Sequence, residues 1–229
     1  MLLLFQHPYV ANAELPQPDR WDQVMRAFET EDAASTLSKN TVVFTGSSSI
    51  AFWKTLEQDM APLSVINRGF GGSTMRDVFY WLDIVVLKHR PRAIVLYVGD
   101  NDIGLYNSSP DEVLAGFEDL VSRIRRELPS ARIYFVGIKP SISRWAMWPN
   151  MQQANRLIQA FCERTPNVRF VDIASPMLDS QGRPNADFFE PDGLHMNTRG
   201  YCIWTSVIRP ILLESEGLHQ PELKHARTC

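Results

Sequence analysis

The chain has 229 residues, 45% of them hydrophobic and 21% charged. That composition excludes wholesale disorder, and the length, about one and a half times the ~150-residue domain prior, allows one large domain or two small ones. Its 23 basic and 26 acidic residues leave a net charge of −3, which removes the long-range attraction expected of a nucleic-acid or anionic-membrane binder. No run approaches the roughly 20 apolar residues needed to span a bilayer. The three scattered cysteines, Cys162, Cys202 and Cys229, point to neither a disulfide framework nor a zinc site.

The start, Met1-Leu2-Leu3-Leu4-Phe5 with Ala11-Asn12-Ala13 beyond it, resembles the apolar run and cleavage site of an export signal. It has no basic n-region, and Gln6-His7-Pro8 breaks the run, so a cytoplasmic location is favoured with export still open. Trp21, Val24, Met25 and Phe28 then mark one face of an opening helix. Five apolar runs read as strands buried on both faces: Thr41–Thr45, Ser64–Arg68, Ala93–Val98, Arg132–Ile138 and Val168–Ile173. Helical patterns separate them. One starts at Pro110-Asp111 and places Val113, Leu114, Phe117, Leu120, Val121, Ile124 and Leu128 on one face. Another carries Met151, Ala154, Leu157, Ile158 and Phe161. Helices also follow Thr74 and Thr198, the last one bent or ended near Pro210. Residues 1–19 and 216–229 read as peripheral, the latter as a polar surface tail.

This alternation predicts an α/β fold: a five-stranded, flavodoxin-like parallel sheet in the order 2-1-3-4-5, covered by helices on both faces. The absence of a linker within about 41–213 predicts a single domain. Ligands of such sheets bind beyond the carboxyl ends of the strands, so the residues that follow each strand hold the functional question.

After the first strand stands Gly46-Ser47-Ser48-Ser49-Ile50, a tight turn whose serines could face a ligand or cap the next helix. It does not fit the G-x-S-x-G nucleophile elbow, because Ile50 takes the final glycine position. After the second comes Asn67-Arg68-Gly69-Phe70-Gly71-Gly72-Ser73-Thr74, which permits close backbone approach to a ligand or simply makes a flexible turn. After the third comes Gly99-Asp100-Asn101-Asp102; Asn101 could donate to a developing oxyanion, or the run could serve only as an Asx turn. Near the end lies Asp192-Gly193-Leu194-His195. An aspartate three residues before a histidine can fold back onto Nδ1 and leave Nε2 as a base. Asp187 and Glu190 are the competing carboxylates.

Together the four blocks, GSSSI, NRGFGGS, GDND and DGLH, resemble the SGNH hydrolases, the superfamily of GDSL esterases and lipases, from about Thr41 to Leu213. The resemblance implies a three-layer α/β/α sandwich and a serine esterase needing neither metal nor cofactor. It assigns the nucleophile to Ser48 and the rest of the triad to Asp192 and His195. The oxyanion hole would comprise the Ser48 and Gly72 backbone N–H groups and the Asn101 side chain. One position departs from the family: the first block usually has aspartate where this chain has Ser47.

The expected substrate is a small ester with a short acyl chain, since no long amphipathic insertion suggests a lid. Carbohydrate O-acetyl esters, lysophospholipids and thioesters suit the same chemistry. After the fourth strand, Arg144, Trp145 and Trp148 could line the substrate pocket, or the tryptophans could anchor their loop to the core. Two other classes compete with the esterase: a flavodoxin-like phosphate or nucleotide binder using the Gly69–Thr74 loop, and a catalytically silent binding module.

Overall fold

The computed structural model describes residues 20–34 and 41–217. The export-signal-like start and residues 218–229 of the tail lie outside them. Strands β1 (Val42–Gly46), β2 (Val65–Gly69), β3 (Ala93–Tyr97), β4 (Arg132–Val136) and β5 (Val168–Val171) form one parallel sheet in the expected order β2-β1-β3-β4-β5. The helices of the described residues are α1 (Asp22–Ala34), α2 (Ser48–Ala51), α3 (Leu56–Met60), α4 (Met75–Tyr80), α5 (Leu82–Val85), α6 (Asp100–Tyr106), α7 (Pro110–Glu127), α8 (Trp148–Glu163) and α9 (Thr198–Ser215). None of them is long and apolar enough to cross a membrane.

The central strands β1, β3 and β4 are buried on both faces, whereas the edge strand β5 leaves Arg169 exposed, so the expectation of two covered faces does not hold there. Side chains alternate across the sheet, so Val43, Ile94, Leu96, Ile133 and Phe135 pack with α1, α4, α5, α7 and α8. Val42, Phe44, Val95, Tyr97, Tyr134 and Val136 pack on the other side with α2, α3 and α9. The stripes of α7 and α8 are core-facing as their spacing predicts: Val113, Phe117, Leu120 and Ile124 are buried on one, Met151, Ala154 and Ile158 on the other. In α7, Pro110 takes the first turn, and Ser109 with Glu112 closes a capping box ahead of it.

Several expectations are corrected, beginning with β4, which stops at Val136 and not at Ile138. β5 stops at Val171, two residues early, because the Asp172 carboxylate accepts from the Ala174 and Ser175 amides and turns the chain away. Of the two readings of α9, bent or ended near Pro210, the ending is excluded: the helix continues through Pro210 to Ser215. A proline inside a helix costs about 3 kcal/mol, but Ile208, Leu212 and Leu213 on either side of it are fully buried, each worth roughly 1.5–3 kcal/mol. Glu216, read with the surface tail, has a side chain only 1% exposed and pairs with Arg92 and Arg132.

Candidate active site

The site begins where β1 ends. A Cβ on Gly46 would stand 1.8 Å from the Tyr97 carbonyl oxygen, and its φ is +126°, so only glycine lets β1 pass this close to β3. Its carbonyl accepts from the Phe70 amide at 2.8 Å, and the next amide, Ser47, donates to Tyr97 O at 2.9 Å. The turn is thereby pinned to both neighbouring strands. Of the three serines, Ser47 and Ser49 are buried while Ser48 is half-buried. Ser47 occupies the helix-capping position, but its side chain makes no capping hydrogen bond.

Ser48 Oγ lies 3.1 Å from His195 Nε2, and His195 Nδ1 lies 2.6 Å from Asp192 Oδ2. The other Asp192 oxygen accepts from the Leu194 and His195 amides at 2.8 and 2.9 Å. The three-residue spacing therefore closes one turn in which a single carboxylate binds both the histidine's backbone and its ring. Slight burial would raise the Asp192 carboxyl, but the hydrogen bonds from the His195 ring and the two amides hold it down at about 2. It stays ionised beside the imidazole and so favours Nδ1 as the protonated nitrogen. Of the competing carboxylates, Asp187 pairs with Arg199, while Glu190 is joined to His195 through its backbone, its amide donating to the His195 carbonyl at 2.8 Å; the ring is bound by Asp192. The Phe52 ring lies 5.0 Å from the imidazole, centroid to centroid.

The glycine loop after β2 sits beside Ser48: a Cβ on Gly71 would be 3.9 Å from that of Ser48. Gly72 adopts φ +80°, a left-handed conformation that other residues rarely accept. Three contacts hold the loop. Trp21 Nε1 donates to Gly71 O at 3.0 Å, Asn101 Nδ2 donates to Ser73 O at 3.0 Å, and the Asp102 carboxylate accepts from the Met75 amide at 3.0 Å. Asn67 joins the loop to the serine turn by donating to Ile50 O at 2.7 Å. The structure thus brings Ser48, His195 and Asp192 into one hydrogen-bonded chain, with Gly72 and Asn101 on the flanking loop and helix.

The substrate-lining expectation for Arg144, Trp145 and Trp148 is revised. Trp148 is buried in the core, with Trp145 stacked on it at 6.0 Å and packed against the same cluster. Arg144 turns inward, where Nη1 donates to the Asp100 carboxylate at 2.5 Å and Nη2 to Asn101 Oδ1 at 3.1 Å. The loop instead presents Ile142, 46% exposed, next to Gly193 of the Asp192–His195 turn. The sequence singles out Asn101 within the Asp100-Asn101-Asp102 run without giving its neighbours a role, and it marks Trp21 only as part of a helix face; their contacts to Arg144, Met75 N and Gly71 O are made by the fold.

The model of the GDSL-like Lipase/Acylhydrolase family matches residues 35–203. Platelet-activating factor acetylhydrolase IB subunit alpha2 of Homo sapiens is 29% identical over 171 residues, which cover 70% of this chain and 71% of that protein. Among solved structures, a GDSL-like lipase from Bacteroides thetaiotaomicron matches with a TM-score of 0.71 at 20% identity, over 83% of this chain and 98% of that one. A catalytic mutant of an acetylxylan esterase from Geobacillus stearothermophilus matches with a TM-score of 0.62 at 19% identity, over 80% and 97%. At these identities the two structures speak for the fold.

Proposed function

The chain belongs to the GDSL-like lipase and acylhydrolase family and is a carboxylic ester hydrolase; from that premise we propose that Ser48, His195 and Asp192 are its catalytic triad and a short-chain ester its substrate. His195 Nε2 takes the Ser48 proton as Oγ attacks the ester carbonyl carbon. Asp192 holds the Nδ1 proton and stabilises the imidazolium that forms. The carbonyl oxygen, now an anion, accepts from the Ser48 and Gly72 backbone N–H groups and from Asn101 Nδ2, each donor contributing roughly 3 kcal/mol to the transition state. The tetrahedral adduct collapses as the alcohol leaves with the proton from His195. Water, deprotonated by the same imidazole, then releases the acid and regenerates Ser48.

The observation that carries this reading is the unbroken chain from Ser48 Oγ through the imidazole to Asp192, at 3.1 and 2.6 Å. The Phe52 and Ile142 side chains, 47% and 46% exposed, give the surroundings of His195 an apolar character that suits an uncharged ester. The relatives' names, an acetylhydrolase and an acetylxylan esterase, favour acetyl or a similarly short acyl group. The catalytic unit on this reading is a single domain running from about Thr41 to Leu213.

A panel of esters from acetyl to palmitoyl tests the assignment. Turnover should be highest for the shortest acyl chains and disappear in Ser48→Ala, with the circular dichroism of the fold unchanged. Wild-type turnover by Ser48→Ala would overturn the triad, and a preference for palmitoyl would overturn the short-chain reading.

A further inference from the structure

We infer that Arg144 is a positioning residue for the reaction: it holds the Asn101 amide in the flip that keeps an Nδ2–H available for the oxyanion. The inference rests on the reading of Ser48 and Asn101 given above. The two ends of an asparagine amide are alike in size and opposite in hydrogen-bonding sense. A guanidinium carries only donors, so the atom 3.1 Å from Arg144 Nη2 must be the acceptor, Asn101 Oδ1. Ser73 O is an acceptor only, and it takes one Nδ2 hydrogen at 3.0 Å. Reversing the amide would set donor against donor at one end and acceptor against acceptor at the other. In the flip that satisfies both neighbours, the second Nδ2 hydrogen remains for a substrate oxygen.

What fixes Arg144 is a buried charge cluster beneath the amide. Its Nη1 donates to both the carbonyl and the carboxylate of Asp100, at 3.0 and 2.5 Å. Lys139 Nζ donates to the same carboxylate at 3.3 Å, and Tyr97 donates to it at 3.1 Å. The Arg144, Asp100 and Lys139 side chains are 9%, 6% and 1% exposed. Burial alone would raise the Asp100 carboxyl, but the charges of Lys139 and Arg144 outweigh it and hold the group ionised. By donating to Oδ1, the Arg144 guanidinium draws electron density from the amide and strengthens Nδ2–H as a donor toward a developing anion.

Gly104 makes the room. A Cβ there would stand 2.5, 2.6 and 2.7 Å from Nε, Cζ and Nη1 of Arg144. The helix that carries Asn101 therefore lacks a side chain at the one point where the guanidinium passes beneath it. Gly104→Ala would displace the guanidinium without removing a charge.

The test is acetyl-ester turnover by the full chain carrying Arg144→Gln, Gly104→Ala or Asn101→Ala, and by the two double variants that contain Asn101→Ala. Asn101→Ala should lower kcat by about 10²–10³. Arg144→Gln and Gly104→Ala should each lower it roughly tenfold to a hundredfold, with KM within about twofold, as for an interaction made only in the transition state. In the Asn101→Ala background each should change kcat by less than about threefold, because the amide they act through is gone. If Arg144→Gln does not fold, Gly104→Ala carries the same test. Effects that multiply undiminished in the Asn101→Ala background would overturn this inference alone. Wild-type kcat in Asn101→Ala would overturn the oxyanion-hole reading and this inference with it.

Discussion

Strands β3 and β4 are bracketed by two ion clusters of the same make-up, two cations around one carboxylate. Before the strands, Arg92 and Arg132 close on Glu216, with Arg132 binding it through Nε and Nη2 at 2.9 and 2.6 Å. After the strands, Lys139 and Arg144 close on Asp100. Both carboxylates are nearly inaccessible, so carboxylate burial and charge count do not distinguish the clusters. Their neighbours do. The Glu216 cluster joins the starts of two strands to the chain just beyond α9, and its Arg132 is 37% exposed. The Asp100 cluster is closed to solvent and sends a spare guanidinium donor to the side-chain amide of Asn101. On the proposal made for Asn101 and Arg144, the same electrostatic unit serves as a fastener at one end of the sheet and as a support for chemistry at the other. The polar group it touches decides which.

Substitution separates the two roles. The largest effect should come from His195→Ala, which lowers kcat about 10⁴- to 10⁶-fold in steady-state ester hydrolysis while leaving the melting temperature nearly unchanged. At the other end, Glu216→Gln strips two arginines of their shared partner. It should cost about 1–3 kcal/mol, since the arginines are partly solvated, and lower Tm by roughly 2–10 °C. Its kcat should stay at the wild-type value. Loss of kcat in Glu216→Gln at temperatures well below its Tm would show that the two ends are coupled rather than independent.

A pH profile sharpens the site end. The Asp192 carboxyl is held at about 2, below the ordinary 3.8. The tie it makes to His195 is therefore complete above the ordinary value and is lost only as pH falls from there toward 2. Asp192 should take up no proton across the range above pH ~4. A carboxyl carbon resonance of Asp192 that titrates with a midpoint above pH ~4 would contradict the hydrogen-bonded turn. The smallest effect expected is at Cys162, a buried free cysteine on the core face of α8 whose thiol is pushed up to about 12 by burial. Peptide mapping after alkylation at pH ~8 should find Cys162 unmodified in folded protein, since the thiolate is the reacting species. Rapid labelling there would indicate that the α8 layer opens.

The unequal legibility of these regions in the sequence has a physical cause. β1 and β3 are readable, to within one residue at each end, as the runs Thr41–Thr45 and Ala93–Val98, because a strand covered on both faces is mostly apolar. The Asp192–His195 turn is readable because both partners lie within one turn of chain. Arg144 reads the same whether its guanidinium faces solvent or Asp100, because that partner is 44 residues away in sequence and was chosen by the fold. Glu216 was misread for the same reason: a polar stretch without apolar period resembles a tail until its long-range partners are visible. Trp148 carried two readings, and packing against the core decided for the anchor.

The most direct test of the proposed site is covalent labelling of the folded chain with a fluorophosphonate ester, followed by peptide mapping. The account predicts one phosphonyl adduct, on Ser48, forming more slowly by about 10² or more in His195→Ala, which lacks the base. An adduct on another residue, or no adduct on folded protein, would contradict it.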